Sequence, residues 1–210
     1  MAKNGKKKHK KLKIVFAVIL IVLIVTPLVK ADFNYNYNKE RAQDYLIFDS
    51  NGYIQNQNAT SVFSYGFNTS DNSGCGWIAT YNVLKYLYNE GLTTINPRIE
   101  DVILPLDRFG AFGFGFLGTN PIVIQGILKS KGLNAKMVVK STKFYEEAKK
   151  SDINIIFYLS KKFNTGHFKM MKYNESTDNF TFYNYHAVKT MSTFLAEHTD
   201  DFVFLITINA

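Results

Sequence analysis

Cys75 is the one cysteine of the chain, and its neighbours suit a reactive thiol. It lies between Gly74 and Gly76, at the start of a segment whose apolar residues recur at steps of three and four. The first turn of a helix has unpaired backbone N–H groups, which lower a thiol pKa and can bind an oxyanion during acyl transfer. We expect the glycines to leave space for a substrate backbone. The alternative is a structural cysteine that fills a gap in the core.

A thiol nucleophile needs a base, and the chain has four histidines that could serve. His9 lies in the lysine-rich N-terminus, His186 follows a strand end, and His198 lies in a polar stretch where we expect a solvated surface residue. His167 opens a predicted strand, so we expect its ring to face the N-terminus of the Cys75 helix. His167 is therefore the predicted base.

Asn184 is the candidate for orienting that imidazole. It ends the predicted strand that follows the His167 strand, after a polar turn at 174–179. The start of one strand lies beside the end of the next in an antiparallel pair, which would place Asn184 near His167. Its amide oxygen could accept the ring N–H and hold one tautomer. The alternative role is that of a turn or capping asparagine.

The elements that must position these residues follow from apolar spacing and from glycine, proline and asparagine signals. Helices are predicted over 75–90, 97–105, 121–131, 142–150 and 192–197, and strands over 135–140, 153–159, 167–173, 180–184 and 202–208. Asn72 and Ser73 are expected to cap the first of these helices, and Pro105 to end the second. Segment 32–74 is expected to be loop apart from a short helix at 41–48. Helices followed by strands predict an α+β domain with an antiparallel sheet.

The glycine- and phenylalanine-rich stretch 109–118 is too rich in glycine for a regular element. We expect it either to line the substrate cleft or to tuck its rings into the core.

The N-terminal 31 residues carry the chain's excess charge. Eight lysines and no acidic residue lie in 1–31, whereas 32–210 carries 17 basic and 17 acidic residues. A neutral body lacks the basic surface typical of nucleic-acid binding, so no nucleic-acid partner is expected. The apolar run 14–25 follows the lysines, a pattern that directs the rest of the chain out of the cytoplasm. Pro27 should break the helix, and Ala31 offers a cleavage position.

Two regions follow from this pattern. Residues 1–31 form a signal or membrane-anchor segment, and 32–210 form one domain. The domain is expected at the outer side of the cell membrane, or secreted after cleavage near Ala31.

Several motifs in the domain together resemble a known family. Segment 74–87, Gly-Cys-Gly-Trp-Ile-Ala-Thr-Tyr-Asn-Val-Leu-Lys-Tyr-Leu, resembles the nucleophile helix of papain-like cysteine peptidases related to the bacteriocin-leader-processing peptidases. The resemblance continues through 118–121, 131–133 and the Gly-His-Phe at 166–168, and ends at Asn184. It implies a papain-like fold and thiol acyl transfer without a metal or organic cofactor. It also implies that Cys75 is the nucleophile, His167 the general base and then acid, and Asn184 the orienting residue.

This sequence departs from the family pattern at the residue that donates a hydrogen bond to the oxyanion. The family places a glutamine several residues before the cysteine, and 67–74 contains none. Asn68 is the nearest amide and is the candidate donor, with Gln55 and Gln57 further away.

The sequence therefore predicts an exported cysteine peptidase or amidase that cleaves a peptide-like bond. One alternative is a catalytically silent papain-like module that binds a peptide at the membrane. Another is a cell-wall amidase with peptidoglycan as its substrate.

Overall fold

Helices and an antiparallel sheet form the part of the chain that the structure, a computed structural model, describes. The described residues are 3–42, 47–141, 143–161, 165–184 and 187–210, with side chains from residue 12 onward. The helices are α1 (Lys3–Arg41), α2 (Ser70–Ser73), α3 (Cys75–Asn89), α4 (Ile99–Gly110), α5 (Pro121–Ser130), α6 (Phe144–Lys150) and α7 (Met191–Glu197), with 3₁₀ turns at Gln57–Thr60 and Phe112–Gly115. The strands are β1 (Ser64–Tyr65), β2 (Asn68–Thr69), β3 (Asn134–Val139), β4 (Ile153–Ser160), β5 (Thr165–Asn174), β6 (Asn179–Phe182), β7 (Ala187–Lys189) and β8 (Phe202–Asn209).

Within the described residues, β3 to β8 form a six-stranded sheet in the order β3-β8-β4-β5-β6-β7, with every pair antiparallel. One face packs against α3, α4 and α5, and the other face against α6 and α7. β1 and β2 form a separate small hairpin. The predicted mixture of helices and an antiparallel sheet is confirmed.

The central helix, α3, is buried over 12 of its 15 residues. Apolar, small and aromatic residues occur all round it, which is the pattern of a helix enclosed by other elements. It lies between the sheet and the α4–α5 pair. The helix predicted to begin at Cys75 is confirmed.

The start of α3 differs from the prediction in how it is capped. The short helix α2 runs directly into it through Gly74, whose φ of −82° and ψ of −2° are nearly helical. Asn72 and Ser73 belong to α2 and bond back to Thr69, through its hydroxyl and its carbonyl oxygen respectively. Neither side chain caps α3, because the chain is already helical before Cys75.

The N-terminal helix, α1, joins an exposed apolar half to a half that packs on the domain. It continues to Arg41, so the loop predicted from residue 32 is wrong. Asn34 donates to the Gly66 carbonyl at 2.8 Å and to the Asp107 carboxylate at 2.7 Å. Asn38 exchanges two hydrogen bonds with the Ser64 backbone, at 2.8 and 2.9 Å. These bonds fix the helix to the domain.

Of the short helix predicted over 41–48, residues 43–46 lie outside the described residues. Phe48 is not helical, since it forms an isolated bridge with Ile54.

Two prolines predicted to end helices lie inside them instead. Pro27 lies within α1, and Pro105 lies within α4. A proline in a helix removes one backbone hydrogen bond, at a cost of about 3 kcal/mol. The two helices pack on each other and are linked by the Arg108–Asp32 ion pair and the buried Asn34–Asp107 bond. This packing offsets the loss and carries both helices past their prolines.

Candidate functional site

Cys75 lies in a cleft of about 540 Å³ between the start of α3, the sheet and the loop that follows α4. Most of the lining is apolar and aromatic, and Asn72, Ser73, Thr119 and Thr165 supply side-chain polar groups. The aromatic and glycine part of the lining comprises Phe112, Phe116, Phe157, Phe168, Phe202, Phe204, Gly118 and Gly166. A cleft with apolar walls and a few polar groups is the usual form of a ligand site.

Two opposing effects act on the pKa of the Cys75 thiol. Burial raises its pKa from 9.0 to about 11, although the backbone N–H groups of Phe168, Gly76 and Cys75 itself act to lower it. Desolvation disfavours the charged thiolate more than these N–H groups favour it. In this arrangement Cys75 is therefore a neutral thiol at neutral pH.

Gly74 and Gly76 have packing reasons for being glycine. A Cβ on Gly76 would lie 2.4 Å from the Thr119 side chain. One on Gly74 would lie 2.4 Å from the Ser70 carbonyl oxygen and 2.5 Å from the Trp77 ring nitrogen. The glycines thus permit close packing around the start of α3, and the space expected for a substrate backbone is occupied by the protein itself.

His167 points to the face of the sheet opposite Cys75. Side chains alternate along a strand, and its neighbours Gly166 and Phe168 both line the Cys75 cleft. His167 pairs in register with Tyr158, and the centroids of their rings are 5.9 Å apart. Tyr158 packs against Phe194 of α7. The structure therefore does not bring the predicted base to the predicted nucleophile, and the base role of His167 stays a prediction.

The imidazole of His167 is held neutral where it lies. Burial, and to a smaller extent the nearby Lys169 ammonium, lowers its pKa from 6.5 to about 4. A neutral ring can accept a proton, but a pKa of about 4 makes this imidazole a weak base where it lies.

Asn184 is fully buried and hydrogen-bonds to Gln57, which lies further from Cys75 in the sequence than Asn68 does. Its Nδ2 donates to the Gln57 side-chain oxygen at 3.2 Å. Gln57 in turn donates to the backbone oxygens of Ser70 and Asp71, at 3.3 and 2.8 Å, in the turn of α2 just before Cys75. Asn184 thereby connects the end of β6 to the chain that leads into α3.

The other amide atom of Asn184 lacks a partner. Within the described part of the chain, its Oδ1 is buried and accepts no hydrogen bond. A buried polar atom left without a partner is unfavourable and is uncommon in folded proteins. This oxygen was predicted to accept a hydrogen bond from an imidazole N–H.

Asn68 does not lie in the cleft. It belongs to the β1–β2 hairpin, and its Oδ1 accepts the Thr69 backbone N–H at 2.9 Å. The lining around the thiol includes Asn72 and Ser73 instead. The structure thus gives the predicted oxyanion role of Asn68 no geometric support.

The remaining histidines have different surroundings. His198 is not the solvated residue that was expected, since its side chain is 17% exposed, hydrogen-bonds to Asp201 at 2.7 Å and packs on Tyr158. His186 lies outside the described residues, as does the side chain of His9. No metal-binding group of three or more His, Cys, Asp or Glu occurs in the described ranges.

Replacing Gln57 with leucine tests the connection between β6 and α2. The change leaves Asn184 Nδ2 without its partner in a buried place and removes the bonds to the Ser70 and Asp71 carbonyls, so we expect the free energy of unfolding to fall by about 1–3 kcal/mol. Gln125→Leu is the matched control, because Gln125 makes one bond, to the Ala135 carbonyl, in a half-buried position. Urea unfolding measures both. Equal losses for the two variants would contradict a special role for Gln57.

Comparison with known proteins shows a distant structural likeness to a solved protein. No protein-family model matches the chain, and no curated protein sequence matches it. A crystal structure of a double-glycine motif protease from an AMS/PCAT transporter, in complex with the leader peptide, is similar over 65% of this chain and 84% of that one. The sequence identity is 20% and the TM-score is 0.42. A likeness at this level leaves the function to be argued from the site itself.

Proposed function

We propose that this chain is a membrane-anchored cysteine peptidase or amidase of papain-like fold, with Cys75 as its nucleophile. The observation that carries the proposal is the position of the sulfur at the start of α3. There it lies in a cleft and has the backbone N–H groups of Phe168, Gly76 and Cys75 directed at it. These N–H groups would also stabilise an oxyanion on a bound carbonyl.

The reaction we propose is thiol acyl transfer. An imidazole takes the proton of the Cys75 thiol, and the resulting thiolate attacks the carbonyl carbon of a peptide-like bond. The C–N bond then breaks as the imidazolium gives that proton to the leaving amine. Water, activated by the neutral imidazole, then releases the acyl group and restores the thiol. An imidazole must therefore reach the Cys75 face of the sheet.

His167 is the imidazole we propose, acting after a change in strand register. A one-residue shift in the pairing of β5 with β4 would exchange the faces of His167 and Phe168. The unpaired Oδ1 of Asn184 supports this, because it is a buried acceptor suited to an imidazole N–H. The shift must displace the Phe168 ring, which now packs on Phe157 with their centroids 4.6 Å apart. It would also exchange the faces of Lys169 and the buried Met170.

The second candidate is a catalytically silent module that binds a peptide in the same cleft. The position of His167 on the far face and the raised thiol pKa favour it. In that case Cys75 contributes packing and the cleft acts as a binding groove. Peptidoglycan as substrate remains a variant of the first candidate.

We propose that α1 stays attached as the anchor. It has the length and apolarity to cross a membrane, and its apolar half is exposed. Ala31 is fully buried inside the unbroken helix, which protects this position from proteolysis once the domain has folded. Lysines before the apolar run support a position of the domain outside the cytoplasm.

Labelling of the thiol separates the two candidates. The full-length chain in phospholipid nanodiscs is treated with a peptidyl chloromethyl ketone at neutral pH. For a peptidase we expect Cys75 to react faster than free cysteine, and His167→Gln to slow labelling on the order of a hundredfold or more. Cys75→Ala should abolish labelling.

His198→Gln is the matched control, since His198 lies on the far face of the sheet with Asp201 and should leave labelling unchanged. A silent module gives a different result. Its alkylation would rise only as pH approaches the raised thiol pKa of about 11, and Cys75→Ala would bind peptide like the wild type. That pattern would overturn the peptidase proposal.

A further inference from the structure

An exposed group of aromatic and aliphatic side chains surrounds the loop between α4 and α5. We call this group the aromatic patch. Phe116 is 64% exposed, Leu117 78% and Phe109 66%, although side chains of this kind normally lie inside a domain. The patch comprises Phe67, Phe109, Phe112, Phe114, Phe116 and Leu117. Segment 109–118 contains no charged residue.

The loop that carries the patch is folded and holds its rings outward. Its ends are joined where Ala111 bridges Thr119, and the Phe112 N–H donates to the Gly118 carbonyl at 2.9 Å. The Phe67 N–H donates to the Phe114 carbonyl at 2.8 Å, and the two rings pack edge to face. The exposure of the patch is thus a property of a defined surface.

The patch adjoins the helix that we propose to cross the membrane. The Lys30 ammonium lies 5.9 Å from the centre of the Phe67 ring. Lys30 directly follows the exposed Val29, which ends the predominantly apolar stretch 12–29, about 27 Å along the helix axis. The polar headgroup layer of a bilayer extends several ångströms beyond its hydrocarbon core. Phe67 therefore lies at the depth of the headgroups when 12–29 spans the core.

The distance between helix and patch is fixed by buried bonds. Asn34 binds the Gly66 carbonyl, next to Phe67, and also the carboxylate of Asp107. The Gly66 N–H binds the same carboxylate at 2.7 Å. A domain held in this way cannot carry the patch away from the membrane by swinging about α1.

We propose that the aromatic patch is a lipid-contacting surface that enters the interface of the outer leaflet beside α1. Apolar side chains gain free energy when they pass from water into the boundary between headgroups and acyl chains. The occupant of this surface is thus the bilayer itself. This part of the proposal needs α1 to span the membrane and does not depend on the chemistry of Cys75.

The patch also bears on the substrate, in a step that rests on the proposed function. Phe112, Phe116 and Leu117 belong to the aromatic patch and also line the Cys75 cleft. The cleft consequently opens at the lipid surface. Its ligand would be a peptide segment that lies along the membrane or emerges from it.

Quenching of tryptophan fluorescence by brominated phosphatidylcholine tests the lipid contact in the full-length chain. Phe116→Trp places an indole in the patch, while the native Trp77 is fully buried and gives a constant background. Val18→Trp in the exposed apolar half of α1 is the positive control, and Tyr88→Trp near the far end of α3 is the negative control. We expect Val18→Trp and Phe116→Trp to lose fluorescence and Tyr88→Trp to keep it.

The outcomes separate this inference from the proposed function. If Val18→Trp is quenched but Phe116→Trp is not, the patch does not touch lipid and the inference fails, whatever the labelling of Cys75 shows. Dimers crosslinked through the patch, without quenching, would assign the surface to a second copy and also overturn it. Quenching of Phe116→Trp that persists with Cys75→Ala supports lipid contact even where thiol chemistry fails.

Discussion

Replacement of Trp77 by alanine is expected to lower the free energy of unfolding by about 3–5 kcal/mol. The indole is fully buried, packs edge to face on Phe63 and donates from Nε1 to the Ser70 hydroxyl at 3.0 Å. Alanine would leave a cavity between α2 and α3 and remove that bond. Because both helices position Cys75, we also expect slower labelling of the thiol.

Tyr88→Ala is the matched control for this loss. Tyr88 is an aromatic residue of the same helix but is 38% exposed, so its truncation should have a much smaller effect. Trp77→Phe separates the hydrogen bond from the packing and should cost less than Trp77→Ala. Urea denaturation followed by circular dichroism measures all three. Similar midpoints for Trp77→Ala and Tyr88→Ala would show that the indole does not organise this part of the core.

His167 is expected to make the protein less stable as the pH falls from about 7.5 to 5. Its folded pKa of about 4 lies below the unfolded value of 6.5, so the unfolded chain binds a proton first. Stability is therefore complete above the unfolded pKa and is lost as pH falls toward the folded pKa. The shift corresponds to a loss of about 2 kcal/mol between pH 7.5 and 5.

His167→Phe should remove this slope, because it keeps a ring beside Tyr158 but cannot be protonated. The pKa values of Asp101, Asp178 and Asp201 are lowered, so these carboxylates stay ionised through the same pH range. Comparing wild type and variant by urea unfolding at each pH isolates the histidine. An equal slope in both would mean that the imidazole is accessible to protons in the folded state.

The elements that sequence predicted well are those whose own side chains determine them. α3, β4 and β8 carry unbroken apolar patterns, and each begins within a residue of its predicted start. Turn signals at Gly91 and Gly132 also coincide with backbone that adopts positive φ, at 72° and 83°. Such local signals need no knowledge of distant parts of the chain.

The errors arose where distant contacts outweigh local signals. α1 passes Pro27 and runs on to Arg41 because Asn34 and Asn38 bind residues far along the chain. The local sequence contains only the signal of Pro27, which predicts that the helix ends there. In the same way, Pro105 ends no helix, because α4 is held by its packing on α1.

The candidate site around Cys75 shows the same limit of prediction from sequence. The Cys75 position at the start of a helix was predictable from spacing, but the face on which His167 lies depends on the register of β5 with β4. A shift of one residue in that register would turn His167 to the other face of the sheet, and no sequence motif specifies the register. The bond between Gln57 and Asn184 joins residues 127 apart, with nothing in the sequence to pair them.

The unbroken course of α1 has a consequence for what the protein can reach. Its 39 residues form a single rod of roughly 60 Å, of which the last part is fastened to the domain. With its apolar half in a bilayer, this rod sets the cleft at one fixed height and leaves it free to travel only sideways. Encounters then become a search in two dimensions, confined to molecules within a narrow layer above the membrane. A flexible tether of equal length would instead sample a hemisphere of solvent.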